Sequence, residues 1–338
     1  MPAGVAPGLL PRRLERLCRQ AIAAMAVVLP GAVVLTEAAT GPYVVTPVLA
    51  ALAGADRVHA VTRATRHGTV ADVVAATTEL AERAGVADRI TVHDGLTADL
   101  AAVATVVTNS GHLRPLDRRL VGWLRPDAVV PLMFESWEID LGRDDVDLEA
   151  LRERGIRFAG TNERNPAVGV FGFLGPMAVR LLTDAAVAVR GSRLVVLCDN
   201  PFRPFLVDGL TAAGATVSAA DRLADVELDE ELDAVLVALR PTGRPVLDAT
   251  DVDRIAREAP TAVLAQFWGD LPRQECARLD LPVVPVVAPA AGHMGVLPSA
   301  VGPEPVVRLQ AGGLKVASLL RRPRESWTAV EREFVDEC

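Results

Sequence analysis

Apolar residues fall along this chain in short β-rich runs that alternate with stretches of helical spacing. In the first half, Ala32–Thr36, Val58–Val61, Ile90–His93, Val103–Val107 and Val129–Met133 read as strands. Between them, Val44–Ala53, Val70–Ala84 and Leu116–Leu124 read as helices. Such alternation, punctuated by Gly, Asp and Asn turns, implies a parallel sheet covered on both faces. The second half repeats the plan, with strands at Leu194–Leu197, Thr216–Ala219, Ala234–Ala238, Ala262–Gln266 and Val283–Val287. From Val168 to Val187 the apolar positions keep helical spacing, which predicts a connecting helix. The expected fold class is α/β, two Rossmann-like doubly wound parallel-sheet domains joined by a long interdomain helix. The expected domains are 1–165 and 190–325, with the helix at 166–189 and a polar, mostly acidic tail at 326–338.

Composition narrows this picture. A length of 338 residues accommodates two such domains. Hydrophobic residues make up 50% of the chain and aromatics 4%, so the core is built from Ala, Val and Leu, and disorder is excluded. A net charge of −8 argues against nucleic acid or an anionic membrane as partner. Lys315 is the only lysine, so Schiff-base chemistry is excluded elsewhere. Cys18, Cys198, Cys276 and Cys338 are widely separated, which favours a reduced cytoplasm over disulfides or a zinc site. The apolar run Ala21–Leu35, preceded by Arg12, Arg13, Arg16 and Arg19, has the outline of a signal peptide. It is broken by Pro30 and Gly31 and leads directly into the strand series, so a soluble cytoplasmic protein is expected. His59, His67 and His93 lie on separate elements with no cysteine nearby, and no metal site is expected.

The stretch "RLVVLCDNPFRPFLVDGLTAAGATVSAADR" (Arg193–Arg222) has the plan of a Rossmann-like nucleotide-binding unit. A strand leads through a loop into a helix from about Pro204 to Ala213, and the second strand ends on an acid, Asp221. Glycines let a backbone approach a pyrophosphate. Here Cys198, Asp199, Asn200, Pro201, Phe202 and Arg203 occupy that loop instead. Arg203 can bind a phosphate or carboxylate near the helix N-terminus, whereas Asp199 or Asn200 also suits an ordinary N-cap. Asp221 stands where a ribose-binding acid would. The expected cofactor set is Cys198, Asp199, Asn200, Arg203 and Asp221, with Gln266 and Trp268 from a later strand.

Candidate chemistry gathers on loops at strand ends. His293, between Gly292 and Gly295, is placed to act as general acid or base, or simply to cap its loop. Arg240, after the strand Ala234–Ala238, is a candidate anion anchor. Glu135 and Glu138 in "MFESWEI" suggest a cationic group on the ligand, with Trp137 lining the pocket; as an alternative both glutamates are solvated. His293, Arg240 and Glu135 form the candidate catalytic set. Ser110 and His112 in "TNSGHL" are expected to touch substrate, since no strained elbow or ordering acid supports a nucleophilic pair. Asn162 and Glu163 in "GTNERNP" complete the substrate set, Glu163 serving alternatively as a helix-entry residue. Glu37 and Tyr43, the only tyrosine, mark the first glycine loop.

Two resemblances follow. "DDVDLEALRERGIRFAGTNERNPAVGVFGFLGPMAVRLL" (Asp144–Leu182) is similar to the hinge of the D-2-hydroxyacid dehydrogenases, and Leu232–Phe267 has that family's cadence. "LPVVPVVAPAAGHMG" (Leu281–Gly295) resembles the strand and loop that carry its catalytic histidine, here His293. This likeness spans roughly residues 105–320. It implies NAD or NADP across the second domain, and a homodimer. The family's Ala-Arg-Gly turn is Phe267, Trp268, Gly269 here. The first half resembles class I S-adenosylmethionine methyltransferases, through "VVLTEAATGPYVVTPVLAALAGADRVHAVTR", "AERAGVADRITVHDG" and "WLRPDAVVPLMF". That would place S-adenosylmethionine at Glu37–Tyr43 and Ser110–His112, with Thr62 and Arg63 where a ribose-binding acid is usual.

Three functions stay open at this point. One is an NAD(P)-dependent oxidoreductase-like enzyme of small-metabolite biosynthesis, an amino-acid derivative among its candidate substrates, with its ligand in the interdomain cleft. Another is an S-adenosylmethionine-dependent methyltransferase. The third is a non-catalytic protein that binds a ligand or a partner.

Overall fold

Residues 6–141 and 144–338 are described in the structure, a computed structural model. The chain forms two compact units, one comprising Met1–Val170 and Gly302–Cys338, the other Phe171–Val301. Strands β1 (Val33–Glu37), β2 (Arg57–Thr62), β3 (Ile90–Asp94), β4 (Val106–Val107), β5 (Val129–Leu132) and β6 (Arg157–Thr161) belong to the first unit. The second unit holds β7 (Arg193–Leu197), β8 (Thr216–Ala220), β9 (Ala234–Ala238), β10 (Val263–Trp268) and β11 (Val283–Val284); β12 (Val335–Asp336) lies in the first. The helices in chain order are α1 (Pro11–Met25), α2 (Val45–Leu52), α3 (Val70–Ala84), α4 (Ala98–Val103), α5 (Arg118–Trp123) and α6 (Leu148–Glu153). They continue with α7 (Leu174–Asp184), α8 (Arg203–Ala212), α9 (Ala249–Glu258), α10 (Arg273–Arg278), α11 (Glu304–Leu320) and α12 (Ala329–Arg332).

The first sheet runs β12-β6-β5-β4-β1-β2-β3, parallel except for β12, which pairs antiparallel with β6. Without β12 this is the order 3-2-1-4-5-6 of dinucleotide folds. Both faces are covered, which is why its strands read as continuous apolar runs. On one face Val34, Val106 and Val129 pack with residues of α1, α2 and α11. On the other, Leu35, Val107 and Val130 pack with α5 and α6 through Leu120, Val121 and Leu151. The signal-peptide-like segment is divided between α1, whose Leu14, Leu17, Cys18, Ala21 and Met25 face the core while its arginines stay outside, and β1, which takes Val33–Leu35.

Helix α11 is buried nearly all round. At Gly312 a Cβ would meet Thr161 and Val168 at 3.0 and 3.1 Å, and at Gly313 it would stand 2.9 Å from Met133 Cε. Close packing therefore favours glycine at both positions despite the helix penalty, since any Cβ would make Met133, Thr161 and Val168 give way. Lys315 Nζ, buried, donates to Ala26 O at 3.3 Å and lies 3.5 Å from Glu331. The hydrogen bond from the Thr328 backbone, with Arg322 and Lys315 nearby, brings the Glu331 carboxyl down to about 2.

Several sequence expectations shift. In place of a single strand over Val103–Val107, Ala98–Val103 is helical, with the Thr97 hydroxyl capping the Leu100 amide at 3.4 Å, and only Val106–Val107 pairs. The segment expected as a tail contains α12 and β12. The stretch expected as the connecting helix forms a short 3-10 turn, Val170–Phe173, followed by α7.

The second sheet, β11-β10-β9-β7-β8, is wholly parallel, with the doubly wound order 2-1-3-4-5. Helices α7 and α8 touch backbone to backbone, because a Cβ on Gly175 would overlap Gly209 and the reverse. A Gly209→Val change should lower the urea midpoint by the equivalent of about 1–3 kcal/mol from overpacking. Valine at the exposed neighbour Ala212 should cost well under that, and equal losses would show that the contact is not tight.

Candidate functional site

In each sheet the strand order reverses at one place, and ligands of such folds bind at the carboxyl ends of the strands there. The first unit reverses between β1 and β4. Thr36, Thr108 and Ser110 form a buried triangle of hydroxyls, at 2.8 Å (Thr36–Thr108), 2.7 Å (Thr108–Ser110) and 3.3 Å (Thr36–Ser110). Beside them β1 ends on Glu37, which is 5% exposed and makes no ion pair among the described residues. Burial pushes its carboxyl up to about 7, against the smaller lowering influences of the Arg114 guanidinium and the His112 amide. Gly111, at φ +34°, lies so close that a Cβ there would overlap the Glu37 carboxylate.

Asn109 is fully buried and accepts from the Met133 amide at 2.8 Å, while its Nδ2 has no partner. Arg114 donates to Asn109 O and pairs with Asp145 at 2.9 Å. His112 is half-buried, and burial followed by the Arg63 charge lowers its pKa. The structure thus joins Ser110 and His112 with Glu37 and Asn109. The sequence signal for Asn109 is its place just after β4, on the same edge as Ser110.

The loops after β5 and β6 form a clamp. Glu135, fully buried, accepts from Trp137 Nε1 at 2.8 Å, the Glu163 amide at 3.0 Å and Arg164 Nε at 3.1 Å. Glu138 accepts from the Glu135 amide at 3.2 Å. Asn162 donates to Glu333 O at 2.8 Å, linking this loop to the segment before β12. A carboxylate with three donors is held in place. Trp137, Asn162 and Glu163 are therefore parts of the same framework as Glu135.

The second unit reverses between β7 and β9. Asp199 accepts from the Arg240 amide at 2.9 Å, and the Arg240 guanidinium is 4.0 Å away. Asn200 bridges the two strands, donating to Ala238 O at 2.6 Å and accepting from the Phe202 amide at 3.0 Å. Arg203, opening α8, donates from Nε to Cys198 O at 2.7 Å and pairs with Asp221 at the end of β8. Cys198 is buried, and burial pushes its thiol up to about 11, so it is no nucleophile at neutral pH. Phe202 packs on Trp268 and Phe171, with ring centroids 5.4 and 5.2 Å apart.

Gln266, buried, accepts from Arg273 at 2.7 Å. Trp268 Nε1 donates to Gly292 O at 3.0 Å, and Asp270 accepts from the Gly292 amide at 3.1 Å. A Cβ on Gly295 would overlap Gln266 O, so this glycine lets the loop close over β10. His293 rides on the loop with its side chain exposed and its amide bonded to Ala290 O at 2.9 Å. Asp270 organises this loop and escapes a reading of the sequence, where only its place after Gly269 hints at it. Among the described residues no group of three metal-ligating side chains occurs, and no helix is long and apolar enough to cross a membrane.

No family model matches the chain, and no curated protein matches it. Its likeness is to solved structures. A dipicolinate synthase chain from Bacillus halodurans superposes with a TM-score of 0.55 at 10% identity, covering 87% of this chain and 99% of that one. The corresponding dipicolinate synthase chain from Bacillus subtilis gives 0.51 at 11% identity, covering 85% and 95%. NAD+-bound 3-phosphoglycerate dehydrogenase from Entamoeba histolytica gives 0.43 at 11% identity, covering 88% and 97%. What this chain shares with the two synthase chains is the fold, a pair of Rossmann-like α/β units.

The perturbed Glu37 generates a pH prediction. A carboxyl raised on folding leaves stability intact below its unfolded value near 4.5, and stability falls as pH rises toward about 7. Glu37→Gln should therefore gain on the parent protein between pH 5 and pH 8 by an amount on the order of 3 kcal/mol. Melting curves of the two proteins that run parallel across this range would show that Glu37 ionises normally.

Proposed function

We propose that the chain is an oxidoreductase-like enzyme acting on a small polar metabolite, with a nicotinamide dinucleotide at the β7/β9 edge of the second unit. The observation that supports this is the placement of Arg203 and Asp221. A guanidinium opens the helix after the first strand, and a carboxylate ends the second, the places of phosphate and ribose in such folds. The loop offers no amide cradle, since Pro201 and Pro204 lack an N–H and Asn200 is engaged with β9. The residues fit the charge pattern of a nucleotide through Arg203, once it exchanges Asp221 for a phosphate oxygen. When bound, the nicotinamide would supply hydride-transfer chemistry. His293, exposed on its loop, would hold or release the substrate proton, and Arg240 would anchor an anionic group.

A second reading takes S-adenosylmethionine in the first unit. It is favoured by the meeting of Glu37 with Ser110 and His112 at the β1/β4 edge, where buried Glu37 and the unpartnered Asn109 amide suit a ligand bearing an amine and an acceptor oxygen.

One melting experiment separates the readings. At about a hundredfold excess over its dissociation constant a ligand stabilises by roughly 2.7 kcal/mol. NAD(H) or NADP(H) should raise the melting temperature, and Arg203→Ala should abolish that rise. A rise with S-adenosylmethionine alone selects the second reading. Indifference to every nucleotide sinks both and leaves a ligand-binding protein without a nucleotide.

A further inference from the structure

The first unit also carries a cavity of about 390 Å³ against β6 and β12. Arg157 opens β6, so the cavity lies toward the amino end of that strand, whereas Glu37 and Ser110 stand at the carboxyl edge of the same parallel sheet. Its lining includes Phe158 and Trp327. The Trp327 Nε1 proton goes to Leu319 O at 3.0 Å, so the indole offers the cavity only carbon.

Four guanidiniums stand on the walls, Arg152, Arg157, Arg322 and Arg324, against one acidic side chain, Glu337. In a chain of net charge −8 this is a local reversal of sign. Two of the four are neutralised, Arg322 by Glu331 at 2.7 Å and Arg324 by Glu337. The other two are not. The Arg152 guanidinium carbon sits 5.2 Å over the Phe158 ring, and Arg152 makes no ion pair among the described residues. Arg157 makes no ion pair among the described residues, and its one side-chain hydrogen bond there goes to Arg322 O at 3.3 Å. A guanidinium without a counter-ion is a strong donor to an oxyanion, which accepts from several N–H groups at once.

We infer that this cavity is a binding site for a small multivalent oxyanion, gripped mainly by Arg152 and Arg157 and distinct from both sheet edges. Phosphate esters and polycarboxylates share the chemistry it selects. Neutral and cationic compounds do not.

Isothermal titration of the full chain with pyrophosphate and with citrate, at constant ionic strength, tests this. One saturable site per chain is expected for at least one of the two anions, and the tighter of them identifies phosphate ester or polycarboxylate as the natural class. Arg157→Gln, which breaks no ion pair, should weaken binding about tenfold, a loss typical of one charge-assisted contact. Arg152→Gln should act in the same direction, and Arg257→Gln on α9 should change nothing. Absence of saturable binding by either anion overturns the site, as does affinity unchanged in both Arg157→Gln and Arg152→Gln, or an equal response to chloride.

Discussion

The first unit depends on a helix contributed from beyond the second. Helix α11 packs on β5 and β6 and against α1 and α2, and its two central glycines admit Met133, Thr161 and Val168. Without that helix the apolar sides of α1, α2 and β5 would face water, and burying them is the main force holding the unit together. Lys315 fixes the register of the arrangement. Buried next to Ala26 O and Glu331, it ties α11 to the end of α1 and to α12. A buried cation tolerates few alternative positions, because leaving it unpaired costs several kcal/mol.

The two reversal points show different states of the same architectural device. In the second unit the side chains of the loop are engaged with the unit itself: Asn200 with β9, Asp199 with the Arg240 amide, Arg203 with Asp221. In the first, among the described residues, Glu37 lacks a counter-ion and the Asn109 amide lacks an acceptor. Buried polar groups are normally satisfied, so the unpartnered Asn109 amide, near a buried carboxyl that makes no ion pair, is a reservoir of binding capacity at this strand edge. The engaged loop is rigid instead, and any ligand there must compete with existing bonds.

Much of this is legible in the sequence, and the exceptions have physical causes. Strands such as β1, β5, β7 and β9 declare themselves because burial on two faces makes them continuous apolar runs, whereas β6, with Arg157, Gly160 and Thr161, lacks such a run and goes unread. Helix α11 does not, since paired glycines and apolar residues all round erase the helical stripe, and only the packing of Thr161, Val168 and Met133 against it explains them. The 326–338 segment reads as a polar tail, yet β12 is a two-residue edge strand held by backbone pairing to Gly160 and Thr161, which leaves little mark in side chains. Ser110 and His112 are visible as strand-end residues. Glu135 is visible as an acid, but not as the buried acceptor of Trp137, Glu163 and Arg164, because partners 28 and 29 positions away cannot be read from spacing.

The interleaving of the units has a consequence for how the protein is made. The first unit closes only when residues 302–338 join it, and the whole second unit is synthesised in between. On a ribosome the second unit can form its sheet while β1 to β6 still wait for their covering helix. Long-range closure of this kind is slow, and an uncovered parallel sheet is prone to aggregate. The order of folding would then be the reverse of the order of synthesis for these two units, which makes the nascent first unit a natural client for chaperones that shield apolar surface.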